Sequence, residues 1–207
     1  MAIYIIVGVI AYLIGSISFG VIFTKKMAGF DVREKGSKGA GATNVLRNAG
    51  KKIAALTLIC DILKGIVAVL IAVLLGNIIK DIDASLLVQI SGIAVVIGHT
   101  FPIFFGFKGG KGVATSLGIL LLINWQIGLI CLVFALVIMA LTRMVSVGSV
   151  LAAILFPVLT LFIGQNYIVP GNYFVFSIIM ALIVAFNHRT NISRILNGTE
   201  NKLSLKK

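Results

Sequence analysis

The sequence is poor in acidic residues, in proline and in cysteine. Only 6 of its 207 residues are Asp or Glu, against 18 Lys and Arg, and charged residues make up 12% of the chain. Soluble domains carry roughly a quarter of charged residues, so a water-soluble globule is not expected. Three prolines exclude a proline-rich scaffold. The two cysteines, Cys60 and Cys131, lie inside apolar runs, where we expect them to pack rather than to form a disulfide or a metal site.

What the sequence has instead is apolar length and positive charge. Hydrophobic residues form 59% of the chain, and the mean hydropathy of +1.14 indicates a bilayer and excludes disorder. The net charge of +12 makes the polar segments strongly cationic. We therefore expect their partner to be anionic lipid or phosphate, and not nucleic acid.

Seven apolar runs approach the length of about 20 residues that crosses a bilayer. They predict an all-α polytopic membrane protein of about seven transmembrane helices, forming one domain over residues 1–207. The predicted spans are Ile3–Phe23, Ile53–Leu75, Ala84–Phe105, Val113–Ile123, Ile127–Thr142, Val145–Ile163 and Phe174–Asn187. The fourth and seventh runs are short, so we expect them to tilt, to thin the membrane or to stop partway.

The distribution of basic residues predicts the orientation. No basic residue precedes the first run, and Lys25 and Lys26 follow it, which favours an uncleaved helix with an outer N-terminus and a cytoplasmic C-terminus. This orientation places 16 of the 18 basic residues in the cytoplasm and leaves Lys64 within a span and Lys80 outside. The cytoplasmic segments are then residues 24–52, 106–112, 143–144 and 188–207.

The first cytoplasmic segment contains GSKGAGATNVLR, from Gly36 to Arg47. Small residues let backbone amides approach an anion, and Ser37, Thr43 and Asn44 add donors while Arg47 offers a bidentate fork. This composition predicts an anion cradle. A flexible loop whose charges set the topology is the alternative interpretation.

The second segment places Lys108-Gly109-Gly110-Lys111-Gly112 directly before the fourth predicted helix. Glycines ahead of a helix expose its free amides, and the helix dipole and two lysines would converge there on one phosphate. The run is not a P-loop, because Phe105 stands where that motif has its first glycine and Gly112 replaces its Ser or Thr. A short turn with snorkelling lysines is the alternative. Pro102, just upstream, should end or kink the third helix.

The third segment begins with His188 at the end of the last span, and Asn191 lies one helical turn further on. A histidine at that point can exchange a proton near neutral pH. A capping or interfacial role is the usual one for a single histidine at a membrane boundary and is the alternative interpretation. Within the second span, Asp61 and Lys64 share a helix face, so we expect them to pair and to brace the bundle. His99 is expected to pack without a metal, since no second ligand lies at helical spacing.

Taken together and in this order, the three segments resemble the bacterial acyl-phosphate-dependent glycerol-3-phosphate acyltransferases, the PlsY family. The resemblance is carried by GATNVLR at Gly41–Arg47, GHTFPIFFGFKGGKGVAT at Gly98–Thr115, HRTNISRILNGTE at His188–Glu200, and Asp61 to Lys64 with Gly65. It implies transfer of a fatty acyl group from acyl-phosphate to the 1-hydroxyl of glycerol-3-phosphate, giving lysophosphatidic acid and phosphate. It also implies a location in the bacterial inner membrane, a partner enzyme that supplies acyl-phosphate, and no cofactor.

The same resemblance suggests roles for individual residues. Catalytic roles fall to Ser37 and Arg47 of the first motif and to His188 and Asn191 of the third, and Glu200 would be structural. The glycerol-3-phosphate loop would be Gly109, Gly110, Lys111 and Gly112. One departure is that the family commonly reads Gly-Ser-Gly-Asn where this chain has Gly36-Ser37-Lys38-Gly39. The asparagine contact is therefore absent, and Lys38 either replaces it or adds positive field.

Two other classes of protein compete with an enzyme. A transporter for an organic phosphate would also use a basic vestibule, but it predicts a polar midplane, and the spans provide few polar residues. A scaffold that gathers anionic lipid would need the charges without the ordered glycines, His188 and Asn191.

Overall fold

A computed structural model describes residues 1–163 and 166–202, and within them the chain forms helices and turns without a strand. The predicted all-α class is confirmed. The α-helices of the described residues are α1 (Ala2–Gly15), α2 (Phe19–Ala28), α3 (Ala42–Ala49), α4 (Lys51–Ile78), α5 (Ala84–Thr100), α6 (Val113–Ile123), α7 (Trp125–Thr142), α8 (Val145–Ile163), α9 (Phe174–Asn187) and α10 (Arg189–Leu196). Short 3₁₀ turns occupy Val32–Glu34 and Ile103–Phe105.

Helix length and composition give five candidate membrane spans among the described residues. These are Ala2–Ala28, Lys51–Ile78, Ala84–Phe105, Trp125–Thr142 and Val145–Ile163. A sixth span results if α9 and α10, which meet at 62°, count together, and α6 is a shorter apolar helix of 11 residues. The molecule is thus a membrane-type helical bundle with five or six long candidate spans, a smaller number than the seven runs predicted.

The first predicted span, Ile3–Phe23, is broken between α1 and α2. The Ser16 hydroxyl donates to the Tyr12 carbonyl at 2.8 Å, and Nζ of Lys64 on α4 donates to the Ile17 carbonyl at 2.9 Å. A break in a membrane helix frees backbone groups that lipid cannot satisfy. The lysine supplies the missing partner, which lets the chain bend at this point.

Glycine permits the most extensive helix contact in the bundle, between α1 and α5. A Cβ on Gly15 would strike the Val95 carbonyl, and one on Gly98 would strike the Tyr12 carbonyl. The other principal pairs are α4 with α5 and α6, α7 with α8, and α8 with α9. Because α6 packs on both α4 and α7, it joins the first half of the bundle to the pairs formed by α7, α8 and α9.

Two features of the fold position the loops at one end of the bundle. A small apolar cluster lies under the loop before α3 and fixes this loop to the first turn of α4. The cluster includes Val21, Val32, Ala40 and Val45. At the end of α5 the helix stops at Thr100, before Pro102, as the sequence predicts, and the chain turns back toward α6.

Candidate active site

The loop before α3 is folded around the side chain of Asn44. The Asn44 amide nitrogen donates to the carbonyls of Val32 (3.0 Å), Lys35 (3.1 Å) and Gly39 (2.9 Å). Its oxygen accepts the backbone N–H of Ser37 at 3.1 Å. A buried amide whose donors and acceptor are all engaged has nothing left for a ligand. In this conformation the side chain of Asn44 shapes the loop, and its phosphate contact stays a prediction.

Other residues of this loop line a cavity that extends into the bundle. Ser37 and Thr43 line it, and so does Arg47 from the last turn of α3. Lys38 is exposed, adopts a left-handed φ of +58° and does not belong to the lining. Lys38 therefore adds charge at the surface, outside the cavity.

The glycine loop before α6 is held through its backbone. The N–H groups of Gly109 and Gly110 donate to the carbonyls of Thr100 and His99, both at 3.1 Å. In turn the Gly109 carbonyl accepts the N–H of Ala40 at 3.0 Å, which joins the two loops. A Cβ on Gly110 would collide with the His99 imidazole. These contacts give the loop one conformation before any ligand is present.

The two lysines of the glycine loop have different positions. Lys111 is partly buried and lines the cavity, whereas Lys108 is exposed and lies outside the lining. Burial lowers the pKa of Lys111 to about 8. The charges of Arg194 and Arg47 also lower it, and the charge of Glu200 partly opposes them. Lys108 therefore does not line the cavity in this structure, and its phosphate contact stays a prediction.

Arg33, which sequence reasoning missed, fastens the loop before α3 to the loop between α5 and α6. Arg33 donates to the Phe105 carbonyl and, at 3.4 Å, to the Lys108 carbonyl, and it forms a 2.7 Å ion pair with Asp31. Hydrogen bonds from Arg33 hold the pKa of Asp31 well below its usual range. The spacing of Asp31 and Arg33 gives no signal of this role, since it depends on a loop more than 70 residues away.

The third segment reaches the site through a chain of hydrogen bonds. Nζ of Lys111 donates to Oδ1 of Asn191, and Nδ2 of Asn191 donates to Oε1 of Glu200 at 2.6 Å. Glu200 also accepts from the Ser146 hydroxyl at 2.9 Å and from Nε of Arg194 at 2.8 Å. Burial alone would raise the pKa of Glu200, but these bonds keep it below its usual value. The amide of Asn191 is thereby fixed with its oxygen toward Lys111.

His188 lies at the bend between α9 and α10, buried and in the cavity lining. Its Nδ1 is 2.8 Å from the Val184 carbonyl. A carbonyl only accepts, so Nδ1 carries the proton and Nε2 keeps a free lone pair. Burial and the neighbouring Lys111 charge lower the pKa of His188 to about 4, which leaves the ring neutral at physiological pH.

Behind the glycine loop lies a buried charged trio, Asp61, Lys64 and His99. Nζ of Lys64 is 2.8 Å from Oδ1 of Asp61, and Nδ1 of His99 is 3.5 Å from the same oxygen. Asp61 and Lys64 thus form the expected pair. His99 was expected only to pack. Instead, its ring lies beside Asp61 and its carbonyl accepts the N–H of Gly110, so it joins the pair to the glycine loop. The one available signal was that three ionisable residues lie within two neighbouring spans.

The cavity has a volume of about 510 Å³ and combines two chemical environments. At the loop end it is polar and cationic, and further in it is apolar. The polar and charged lining consists of Ser37, Thr43, Asn44, Arg47, Lys51, Asp61, His99, Lys111, Ser116, Ser146, Ser149, His188, Asn191 and Glu200. The apolar part is formed mainly by side chains of α6 to α9, with Leu58 and neighbours from α4.

Most of the predicted site residues therefore share one cavity, although they come from three distant segments. Those that lie outside its lining are Lys64, Lys108 and Gly109. Within residues 1–163 and 166–202, no group of three His, Cys, Asp or Glu side chains is placed to hold a metal ion.

Comparisons with known proteins match this chain over almost its whole length. A family model described as glycerol-3-phosphate acyltransferase matches residues 5–198. The glycerol-3-phosphate acyltransferase of Clostridioides difficile (strain 630) is 43% identical over 99% of this chain and 97% of the relative, and that of Thermoanaerobacter sp. (strain X514) is 43% identical over 98% and 96%. The crystal structure of PlsY, an integral membrane glycerol 3-phosphate acyltransferase, matches in its glycerol 3-phosphate form with a TM-score of 0.85 and 37% identity, over 97% of this chain and 96% of that one. Its lysophosphatidic acid form matches with a TM-score of 0.83 and 35% identity, over 97% and 95%. On this sequence and structural similarity, the chain belongs to the glycerol-3-phosphate acyltransferase family, with the PlsY integral membrane fold.

Proposed function

We propose that the protein transfers a fatty acyl group from acyl-phosphate to the 1-hydroxyl of glycerol-3-phosphate, releasing lysophosphatidic acid and inorganic phosphate. The observation that carries the proposal is the division of a single cavity into a cationic end and an apolar interior. A donor with a phosphate on a fatty chain requires both environments side by side. The acceptor brings a second phosphate to the cationic end only.

The cationic end offers two kinds of phosphate contact. Arg47 provides a guanidinium fork, and Lys111 a single charge beside the glycine loop. Gly110 and Gly112 let a phosphate approach the loop backbone and the start of α6. Ser37 and Thr43 add hydroxyl donors for a phosphate or for the acyl carbonyl. In this scheme Arg47 and Lys111 each neutralise one phosphate and hold the reacting ends together.

The reaction needs no acyl-enzyme intermediate, because acyl-phosphate is already a mixed anhydride. The hydroxyl oxygen of glycerol-3-phosphate attacks the acyl carbonyl carbon, and the bond from that carbon to the phosphate oxygen breaks. The hydroxyl proton passes to Nε2 of His188, or directly to the departing phosphate. His188 is neutral and so able to accept it. Bound phosphates would offset the Lys111 charge and make the imidazole a stronger base.

Three further groups position these residues. Glu200 and Asn191 orient Lys111, so Asn191 acts through its amide oxygen on the lysine. The Asp61 and Lys64 pair, with His99, supports the glycine loop and the bend after α1. Arg33 fastens the two loops together. Each of these groups is buried or half-buried, as rigid alignment of two substrates requires.

We further propose that the mouth of the cavity faces the cytoplasm of a bacterial inner membrane. In this arrangement α1 with α2, α4, α5, α6, α7, α8 and α9 provide seven crossings, and the short α6 and α9 cross or enter the thinned bilayer. The positive-inside distribution supports this orientation. Single cysteines introduced at Lys35 and at Lys80, in a chain with Cys60 and Cys131 replaced by Ala, should label from the cytoplasmic and the outer side respectively. Labelling of both from one side would contradict it.

The decisive experiment measures phosphate release from synthetic palmitoyl-phosphate by the detergent-purified protein. Release should depend on added glycerol-3-phosphate, palmitoyl-CoA should not replace the donor, and mass spectrometry should identify lysophosphatidic acid. Reactions without protein correct for spontaneous hydrolysis. Turnover with palmitoyl-CoA alone would contradict the proposed donor. Uptake of labelled glycerol-3-phosphate into liposomes without conversion would favour a transporter.

A further inference from the structure

The apolar part of the cavity ends at four side chains, one from each of α6, α7, α8 and α9. These are Leu120, Cys131, Phe156 and Met180, and their exposed fractions are 8%, 5%, 3% and 3%. On its own helix each of them is the lining residue furthest from the cationic end. We call these four residues the floor of the cavity.

The floor is backed by a stack of aromatic rings. Phe156 packs edge-on against Phe176 with ring centroids 6.1 Å apart, and Phe176 packs edge-on against Tyr173 at 6.0 Å. Tyr173 stacks on Tyr167 at 4.0 Å. Buried ring pairs in these geometries resist displacement because their neighbours leave no free volume. The floor is therefore a rigid end and not a flexible constriction.

The depth of the cavity follows from helix geometry. Along α9, eight residues separate His188 from Met180, or about 12 Å at 1.5 Å per residue. Along α8, ten residues separate Ser146 from Phe156, or about 15 Å. A staggered alkyl chain with bonds of about 1.5 Å advances about 1.25 Å per carbon. The cavity can thus hold about 10 to 12 extended acyl carbons.

We propose that Phe156, the largest floor residue, sets the length of acyl chain that the protein distinguishes. This inference rests on the proposed function, since it requires the acyl chain of the donor to occupy the apolar part of the cavity. Methylenes added before the floor gain burial inside the protein, whereas later ones must turn away toward the lipid and gain nothing from the cavity. The dependence of kcat/KM on chain length should therefore break near the length that fills the cavity.

Two substitutions on α8 move the floor in opposite directions. Phe156→Ala deepens the cavity, and Ala153→Phe raises its floor, since Ala153 also lines the cavity one helical turn nearer the loops. Phe162→Ala is the matched control, because Phe162 lies on the same helix with an exposed fraction of 78% and does not line the cavity. Phe156→Leu provides a milder change if removal of the whole ring disturbs the aromatic stack.

The experiment measures kcat/KM for acyl-phosphates of 8, 10, 12, 14 and 16 carbons, each divided by the wild-type value so that partitioning into detergent cancels. Phe156→Ala should raise the ratio of the 16-carbon to the 10-carbon donor by about four- to fifteenfold, the value of one to two buried methylenes. Ala153→Phe should lower the same ratio, and Phe162→Ala should leave it unchanged.

The outcomes separate this inference from the proposed function. If the wild-type protein does not turn over any acyl-phosphate, the proposed function fails. If turnover is normal but Phe156→Ala, Phe156→Leu and Ala153→Phe all keep the wild-type length profile, the floor does not measure the chain and the inference is overturned.

Discussion

Replacement of Glu200 by Gln tests whether the third segment acts on Lys111. The carboxylate accepts hydrogen bonds from Asn191, Ser146 and Arg194, and Asn191 in turn accepts from Lys111. Glutamine keeps the size of the side chain but turns one acceptor oxygen into a donor. That donor must face either the Arg194 guanidinium or the amide of Asn191. Either contact loosens the orientation of the amide that holds Lys111.

The expected magnitude follows from these bonds. A hydrogen bond to a charged group contributes about 1.5–3 kcal/mol. Losing one such contribution to the placement of Lys111 should lower kcat/KM for glycerol-3-phosphate by about 10- to 150-fold, mainly through KM. The substitution also removes a negative charge that raises the pKa of Lys111. The lysine should therefore lose its proton at lower pH than in the wild type, where its pKa is about 8.

Steady-state kinetics between pH 6 and 9 distinguish this effect from simple loss of structure. Glu200→Gln should move the alkaline fall of kcat/KM to lower pH, whereas a merely structural defect would scale the whole profile down. Glu34→Gln is the matched control, because Glu34 is exposed on the first loop. A folded Glu200→Gln protein with the wild-type KM and an unmoved alkaline limb would refute the coupling.

Three further predictions concern the same site. Because the pKa of Lys111 in the free protein is about 8, kcat/KM for glycerol-3-phosphate should fall as pH rises through 8, and Lys111→Arg should abolish this fall in pH-rate profiles, since guanidinium stays charged. In steady-state kinetics His188→Ala should lower kcat by about a hundredfold or more with little change in KM, while Lys111→Ala should mainly raise KM; the reverse pattern would exclude these roles. Gly110→Ala should abolish phosphate release in the same assay without preventing folding, because the added methyl meets the His99 ring and shifts the loop; wild-type activity would show that the loop position is not critical.

Periodicity and composition were sufficient for the all-α class and for most of the long helices, but contacts between distant segments were not readable from them. The sequence predicts α6 at its observed bounds, because apolar residues there are framed by Gly112 and Asn124. It does not predict the break after Gly15. That break is stabilised by Lys64, 47 residues further along the chain, and such a tertiary hydrogen bond leaves no local pattern.

The candidate site divides in the same way. Arg47 and Lys111 were selected because their residue types suit phosphate, and the structure places both in the cavity lining. The same reasoning selected Asn44, whose amide is hydrogen-bonded within its own loop, and Lys108, which is exposed and lies outside the lining. Whether a polar residue faces a ligand depends on where its backbone sits, and that is decided by long-range contacts such as that of Ala40 with Gly109.

The arrangement of charge explains why so much of the site is built from backbone hydrogen bonds. Arg47 and Arg194 lie close enough to Lys111 to lower its pKa, and the charge of Glu200 opposes them there. Like charges in a half-buried site repel, so side-chain contacts alone would let the loops separate when no phosphate is present. The N–H groups of Ala40, Gly109 and Gly110 are uncharged donors that hold the loops together regardless of substrate. The site can thus keep an excess of positive charge without opening. A bound phosphate relieves the repulsion between the cations, and this relief favours binding of the anionic substrates.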